Sequence, residues 1–489
     1  MKKGKIPQKK TSRYKPLPGP WKLPIIGSMH HFRGSKEGPA HALRNLANIY
    51  GPLMHLQLGE ISSLIVSSAE AAKEIMTTHD QNFANRAMVS SMKYHTYGFK
   101  NLALAPYGAY WRQARKLCVL ELLTAKRVES FRSIREEEVS SLLQSIAVSA
   151  NIPVNLTSKI FSLTTNVIAR AAFGVRNKHQ DKFLSITKEL LENSIGFKLE
   201  HCFPSSRLLS FISGLEFKLK EFHRQLDHIF SDIIDEHRLK GTISSTDTQD
   251  SHIDLVDILL KFQKDGNLEV PITNDHVKAL IMDMFVAGSD TSATVIIWAM
   301  AELMRNPDVM RKVQAEVRDA VGENAQVHEA DLQQLNYLKA VIKETLRLHP
   351  PLPLLLPKES TEKCEIMGYE IPARIRVFIN VWAIGRDAKY WGDDAEKFKP
   401  ERFLDTAMDF KGVNFEFLPL GAGRRICPGI TFGIANVELP LTHLLYYFNW
   451  ELPNGMKPDD LSMAEEVAAV VRRKLDLYLT AIPYYPLVN

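Results

Sequence analysis

The sequence has few cysteines, and they are far apart. Cys118, Cys202, Cys364 and Cys427 are the only four in 489 residues, and no two of them form a CxxC pair. An iron–sulfur cluster or a structural zinc site needs several thiolate or imidazole ligands close together. A disulfide-stabilised secreted domain needs a higher cysteine density. The spacing therefore speaks against these classes and favours a reducing environment. If one cysteine binds metal, we expect it to be the only thiolate ligand.

Long apolar runs and a strong net charge are also missing. No run of about 18 apolar residues occurs, so the sequence predicts no transmembrane helix. The net charge of +5 is too small to indicate a nucleic-acid partner, and we expect none. The segment 1–15 carries seven Lys or Arg and no acid. It lacks the apolar core of a signal peptide and is typical of a solvated tail or a membrane-surface patch.

The patterns that are present predict a mainly α protein with small β-sheets. Helical periodicity dominates, while strand-like runs are short and occur early (LMHLQLG, SSLIVSS) and late (RVFINVWAI, LDLYLTAIPY). We therefore expect a helical body with small sheets assembled from distant parts of the chain. Residues 16–27 are rich in proline and are interpreted as a stiff hinge. Residues 28–489 are interpreted as one domain.

The segment 274–305 predicts a long helix that is apolar on most faces and hence central. Its middle reads AGSDTS, at 287–292. Gly288 costs about 1 kcal/mol relative to alanine in a helix interior, and a buried, unpaired Asp290 would cost more. Several unfavourable residues together in a core helix indicate a functional site. The alternative is a kinked helix whose aspartate bonds a neighbouring group.

A second pattern predicts a buried charge cluster. Glu344 and Arg347 share a helix face in an otherwise apolar segment. A buried pair needs a further partner, and Arg402 in the motif PERF is a candidate. The alternative is an ordinary surface salt bridge, which contributes little to stability.

The loop FLPLGAGRRICPG, at 417–429, contains Cys427 among glycines and arginines. The cysteine is either a small apolar residue at a turn or a thiolate metal ligand. A dinucleotide loop is a poor fit, because Ile426 stands where the third glycine would be and no βαβ pattern surrounds it. We therefore do not expect NADPH to bind this chain.

Taken together, these motifs resemble those of the cytochrome P450 family, the haem-thiolate monooxygenases. The resemblance covers nearly the whole chain, with its parts in the family's order: the proline-rich start, WRQAR, AGSDTS, KETLR, PERF and FLPLGAGRRICPG. It is nearest to the plant A-type members of the endoplasmic reticulum that oxidise terpenoids and alkaloids. It implies the P450 fold, with haem b (iron protoporphyrin IX) between the long central helix and the cysteine loop.

The resemblance also implies residue roles. Cys427 would be the axial ligand of the haem iron. Asp290 and Thr291 would be the acid–alcohol pair that delivers protons, and Gly288 would leave room for oxygen. The propionate contacts would be Trp111, Arg115, Lys358 and Arg425. A structural triad would consist of Glu344, Arg347 and Arg402. The apolar substrate pocket would include Phe203, Phe285, Ala287, Leu354, Leu355, Ala468 and Ala469.

Two positions depart from the family pattern. Leu420 stands seven residues before the cysteine, where the family usually has phenylalanine, so the tuning of the iron is in question. Lys358 stands where the plant members often have arginine, and lysine lacks the bidentate fork of a guanidinium.

The implied partners are a hydrophobic small molecule, the membrane and NADPH–cytochrome P450 reductase. The reductase would dock on the cysteine side, where Arg112, Lys116 and Arg424 are candidate contacts; the alternative is that these are solvated surface charges. The basic segment 1–15 is interpreted as an engineered head in place of an anchor to the cytosolic face of the endoplasmic reticulum. A haem-thiolate isomerase or dehydratase and a non-catalytic haem-binding protein are the alternative functions. The Asp290–Thr291 pair favours monooxygenation.

Overall fold

The structure is a computed structural model that describes residues 15–32, 38–174, 185–186, 189, 199–206, 214–243, 253–266, 268–322, 326–466 and 470–487. Ala468 and Ala469, two of the predicted pocket residues, lie outside this set. The α-helices of the described part are α1 (Pro39–Tyr50), α2 (Ala69–Lys73), α3 (Ala109–Leu117), α4 (Ala125–Ser130), α5 (Arg132–Ala147), α6 (Leu156–Phe173), α7 (Leu199–Cys202), α8 (Leu215–Ile243), α9 (Leu255–Asp265), α10 (Asn274–Arg305), α11 (Pro307–Val321), α12 (Asn336–Leu348), α13 (Val381–Ile384), α14 (Ala388–Trp391) and α15 (Ile430–Tyr447).

The strands are short, as their sequence patterns predict. They are β1 (Leu53–Leu58), β2 (Ile61–Val66), β3 (Asn85–Arg86), β4 (Pro153–Asn155), β5 (Lys358–Glu359), β6 (Cys364–Ile366), β7 (Tyr369–Ile371), β8 (Arg376–Ile379), β9 (Phe448–Glu451), β10 (Glu465–Glu466), β11 (Arg472–Arg473) and β12 (Tyr478–Pro483).

The sheets join distant parts of the chain. The largest has the order β1-β2-β8-β5-β3, in which β2 and β8 are parallel and pair Ser63 with Arg376. A three-stranded sheet has the order β4-β12-β9, and β6-β7 and β10-β11 are two-stranded. The prediction of a helical body with small composite sheets is therefore confirmed.

Helix α10 runs through the core, packed against α6 and α15. The N–H of Thr273 donates to Nδ1 of His276 (3.1 Å), which satisfies one donor at the helix start. The helix ends at Arg305, just before Pro307. Within the described residues it is the one helix long and apolar enough to cross a membrane. Its central position accounts for that composition, because a helix surrounded by protein is apolar on most faces.

The proline-rich segment lies along β1. The N–H of His55 donates to the carbonyl of Pro18 (2.8 Å), and the N–H of Ser28 to that of Gln57 (2.6 Å). A Cβ at Gly19 would collide with the carbonyl oxygen of His55. Backbone contact of this kind fixes the path of the chain into the body.

The charge cluster predicted from KETLR and PERF lies in the interior beneath the cysteine loop. Arg347 binds Glu344 through two bonds, Nε to Oε2 (2.7 Å) and Nη2 to Oε1 (2.8 Å), and neither side chain is exposed. Nε of Arg402 lies 3.4 Å from Oε1 of Glu344. The structure thus brings the three predicted side chains together.

The cluster ties α12 to the segment that follows α13. Nη1 of Arg347 donates to the carbonyls of Gly385 and Ala395 (2.6 Å each), and Nη2 to that of Lys397 (3.1 Å). The N–H of Lys399 donates to Glu344 (2.8 Å). A buried carboxylate with this many donors holds separate segments in one geometry.

We predict that Glu344→Gln lowers the free energy of unfolding by about 3–5 kcal/mol, because it leaves the buried charge of Arg347 uncompensated. Asp308→Asn is the matched control, since Asp308 forms an exposed i,i+3 pair with Arg311 and should change stability little. Chemical denaturation of both variants measures the difference. Equal stabilities would contradict a structural role for the cluster.

Candidate active site

Cys427 lies between a 3₁₀ turn, Gly423–Arg425, and the first turn of α15. Its N–H donates to the carbonyl of Leu420 (3.1 Å), so the backbone at the irregular Leu420 closes the loop. Burial raises the pKa of the thiol, while a bond from the Gly429 N–H and the charge of Arg115 oppose the rise. Both opposing contacts favour the thiolate, which is the form that binds metal.

The other cysteines lack this setting. All four are free. Cys118 is buried, and burial raises the pKa of its thiol to about 12. Cys427 is accordingly the one cysteine that combines a glycine-rich loop, a helix start and a neighbouring cation.

The cysteine loop is anchored to Asp80. This carboxylate accepts bonds from the backbone N–H and from Nη1 of Arg424 (2.9 Å each). Gly423 has φ +68, and a Cβ there would lie 2.5 Å from the carbonyl oxygen of Met76. Glycine is therefore required at this close approach. The charge of Arg424, a predicted reductase contact, is already paired.

Four cations gather behind the loop: Arg86, Arg115, Lys358 and Arg425. Their partners are mainly backbone carbonyls. Arg425 donates to Ala84 (2.7 Å) and Ala105 (2.6 Å), Arg115 to Ile426 (2.7 Å), and Arg86 to Leu356 (2.6 Å). Within the described chain, none of the four forms an ion pair with a carboxylate.

Burial and mutual repulsion weaken the charge of this group. Burial, followed by the charges of Arg86 and Arg115, lowers the pKa of Arg425 to about 9. Burial, followed by the charge of Arg86, lowers the pKa of Lys358 to about 7. Burial lowers the pKa of Arg86 to about 10. Cations held together in this way favour an anionic partner.

Trp111 contributes its ring to the same group. The guanidinium of Arg425 lies 4.2 Å from the ring centroid. The indole N–H donates to the carbonyl of Leu102 (3.1 Å). The ring of Trp111 thus packs against the guanidinium of Arg425. A direct contact between Trp111 and a propionate stays a prediction.

The central helix presents a small, accessible face at Ala287 and Thr291. Ala287 is exposed and Thr291 half-buried, although most residues of α10 are buried. The two residues are one turn apart and so share a face. The hydroxyl of Thr291 donates to the carbonyl of Ala287 (2.6 Å). A Cβ at Gly433 in α15 would lie 4.0 Å from Oγ of Ser292, so α15 brings the cysteine loop to the same part of α10.

Gly288 and Phe285 lie on another face of α10. A Cβ at Gly288 would lie 2.5 Å from Cδ1 of Ile168, so the glycine lets α10 and α6 pack closely. Phe285 is 1% exposed and stacks on Phe173, with ring centroids 6.4 Å apart. Phe285, predicted beside Ala287 in the substrate pocket, packs on Phe173 and also lines a cavity bordered by α6 and α10. Its contact with a substrate stays a prediction.

Asp290 points in a third direction. Its carboxylate pairs with Arg472 of β11, whose guanidinium lies 4.7 Å from the ring centroid of Phe161. The pair borders a cavity of about 480 Å³ that is rich in hydroxyl groups, including those of Ser289 and Thr294. Asp290 and Thr291 are adjacent in sequence but have different surroundings.

The remaining described residues of the predicted pocket pack on apolar clusters of the sheets β1-β2-β8-β5-β3 and β6-β7. Phe203 and Leu354 pack on one cluster that includes Met54. Leu355 has φ +51 and packs on the cluster that contains Leu418. Arg112 and Lys116 of α3 are exposed, as a docking role requires.

Sequence reasoning missed four polar residues of the site region: Asp80, Arg86, Asp283 and Arg472. Each lies in a segment without a recognised motif, so no spacing signal marks it. Asp283 alone had a usable signal, because a second acid in the same apolar helix also needs partners.

The donor set fits haem. One thiol is held beside a cation, a small accessible helix face lies near it, and cations without carboxylate partners could bind two propionates. Haem-thiolate ligation needs a single cysteine and a polar anchor for the propionates, and both are present.

Comparison with known proteins gives the family. Residues 17–480 match the family Cytochrome P450. A desmethyl-deoxy-podophyllotoxin synthase of Sinopodophyllum hexandrum is 53% identical, covering 94% of this chain and 90% of that protein. A premnaspirodiene oxygenase of Hyoscyamus muticus and a 5-epiaristolochene 1,3-dihydroxylase of Nicotiana tabacum are each 50% identical, each covering 96% of this chain and 93% of the relative. A zebra fish cytochrome P450 solved with abiraterone is similar in structure, with a TM-score of 0.77 at 26% identity, covering 92% of this chain and 100% of that one.

The chain belongs to the cytochrome P450 family. It is a haem-thiolate monooxygenase similar to plant oxygenases, and its family uses haem, a redox partner and a hydrophobic substrate. The expected fold and enzyme class are confirmed.

We predict that the close packing at Gly288 makes two substitutions interdependent. Gly288→Ala should destabilise the protein by about 1–3 kcal/mol through overpacking. Ile168→Val removes the methyl group in the way and should relieve most of that cost, leaving a coupling of about 0.5–3 kcal/mol in a double-mutant cycle. Denaturant unfolding of the two single variants and the double variant measures the coupling; additive effects would argue against this contact.

Proposed function

We propose that the enzyme inserts one atom of O2 into a hydrophobic terpenoid, with electrons from NADPH supplied through a separate cytochrome P450 reductase. The observation that carries the proposal is the position of Cys427 beside cations that lack carboxylate partners. Relatives named for premnaspirodiene and 5-epiaristolochene support the substrate class. A relative named for desmethyl-deoxy-podophyllotoxin supports compounds of that kind as a second candidate class of substrate. An alkaloid is a further alternative substrate.

Haem held by Cys427 would supply the activation of oxygen. The protein's part is to keep the sulfur ionised: the Gly429 N–H and the charge of Arg115 both lower the energy of the thiolate. Arg115, Lys358 and Arg425 would bind the propionates, and Trp111 would hold the guanidinium of Arg425 in place.

Asp290 and Thr291 would move protons. The Thr291 hydroxyl donates its hydrogen bond to the Ala287 carbonyl, so the hydroxyl oxygen can accept a bond from water on the accessible face. Asp290 lies next to it and borders the polar cavity, from which it could receive a proton. Residues at this helix position would thus link solvent to the reaction site.

The reductase would approach the exposed cations Arg112 and Lys116 of α3. An acidic partner surface would be attracted to these side chains. The native enzyme would be attached to the cytosolic face of the endoplasmic reticulum membrane, which is the usual place of its plant relatives.

We predict that Cys427→Ser abolishes the red-shifted Soret band of the reduced carbon monoxide complex, because serine cannot provide a thiolate. Cys364→Ser is the matched control and should keep the band, since Cys364 lies on strand β6, outside the cysteine loop. Absorption spectra of the two reduced variants give the result. An unchanged band in Cys427→Ser would refute the ligand assignment.

We predict that the enzyme with reductase, NADPH and O2 converts premnaspirodiene or 5-epiaristolochene to a product one oxygen atom heavier. Mass spectrometry with ¹⁸O2 identifies the source of that atom. Turnover without NADPH would favour an isomerase or dehydratase, and the absence of turnover on any hydrophobic substrate would favour a non-catalytic haem protein.

We predict that Thr291→Ala releases peroxide at the expense of product.

A further inference from the structure

The peptide group between Leu102 and Ala103 is held at both ends by charged side chains. Its N–H donates to Oδ2 of Asp283 (3.0 Å). Its carbonyl accepts bonds from Nη1 of Arg425 (3.2 Å) and from the indole of Trp111 (3.1 Å). An anion on the donor side and a cation on the acceptor side polarise the group in the same sense, so each bond strengthens the other.

Asp283 holds the loop through its second oxygen as well. Oδ1 accepts a bond from Nδ2 of Asn101 (2.6 Å), and Asn101 is only 4% exposed. Asp283 belongs to α10, one turn before Ala287. One carboxylate of the central helix therefore fixes both the side chain and the backbone of the loop that precedes α3.

The same loop supports two of the four cations. The carbonyl of Ala103 accepts a bond from Nε of Arg86 (3.2 Å), and that of Ala105 from Nη2 of Arg425 (2.6 Å). A shift of this loop would consequently move both guanidinium groups.

We propose that Asp283 is a positioning residue that links the central helix to the cofactor anchor: its carboxylate sets the Leu102–Ala103 peptide, and through it the guanidinium of Arg425. This inference rests on the proposed haem site. It assigns to Asp283 a task that neither the acid–alcohol pair nor the Glu344 cluster performs.

The coupling should depend on pH. Burial raises the pKa of Asp283 to about 6, against the opposing bonds from Asn101, Ala103 and Leu102. The other titratable groups that interact with it are Tyr110 and Cys118, and burial raises the pKa of both, so both stay neutral near pH 6. Lys100, which adjoins Asn101 in the same loop, is paired with Asp275 (2.6 Å).

The effect of pH on haem binding through Asp283 should have the opposite sign to its effect on the stability of the fold. Because the pKa of Asp283 is raised on folding, this group favours the folded state more as the pH falls through about 6. Protonation nevertheless removes the charge that holds the peptide group. Lowering the pH should therefore weaken haem binding, while protonation of Asp283 does not lower the stability of the fold.

The experiment measures haem transfer from the holoenzyme to excess apomyoglobin between about pH 5 and pH 7.5. For the wild type, we expect transfer to accelerate as the pH falls, with a midpoint near 6. Asp283→Asn should transfer haem about tenfold faster at neutral pH, as the loss of a charged hydrogen bond implies, and should show no such midpoint. Denaturant midpoints of the same samples report the fold.

A second variant keeps the test decisive if Asp283→Asn folds poorly. Asn101→Asp places another carboxylate beside Asp283, so like-charge repulsion should raise the midpoint by about one pH unit. Asp308→Asn, at the surface of α11, is the control and should leave rate and midpoint unchanged.

A wild-type midpoint that persists in Asp283→Asn, or does not move in Asn101→Asp, would overturn the inference. A wild type without the red-shifted band of the carbon monoxide complex would instead overturn the proposed haem-thiolate function. The two failures are thus distinguished by separate measurements.

Discussion

Four cations lie together without a carboxylate ion-pair partner among the described residues, and much of the site's construction follows from that constraint. Arg86, Arg115, Lys358 and Arg425 each need hydrogen-bond acceptors, because an unsatisfied buried charge is costly. Backbone carbonyls of the segments before β3, before α3 and before α15 provide most of them. Satisfying the cations thus fixes the loops around the cysteine, while leaving net positive charge that suits a dianionic ligand.

The central helix serves several tasks because its faces are separate. Gly288 and Phe285 pack against α6 and secure the helix in the core. Ala287 and Thr291 form the accessible face, and Asp290 reaches a polar cavity through Arg472. The glycine in AGSDTS therefore has a packing reason of its own, whatever room it also leaves for oxygen. An unfavourable residue in a helix can be required by a neighbour as well as by chemistry.

Three carboxylates, two of them on buried residues, connect these parts. Glu344 holds α12 to the segment after α13, Asp80 holds the cysteine loop, and Asp283 holds the loop before α3. Each accepts at least one backbone N–H, so each fixes main chain as well as side chain. Such bonds to an ionised acceptor are stronger than neutral ones and suit a site that must keep its geometry.

The sequence by itself determined the family, the mainly helical fold, the single cysteine loop and the grouping of Glu344 with Arg347 and Arg402. These features rest on local spacing or on motifs in a fixed order, which a linear pattern preserves. Only the tertiary structure decided which face of α10 each residue occupies, that Arg424 is paired with Asp80, and that Asp283 reaches Arg425 through one peptide group. Those contacts join residues hundreds of positions apart, and their partners are often backbone atoms, which carry no mark in the sequence.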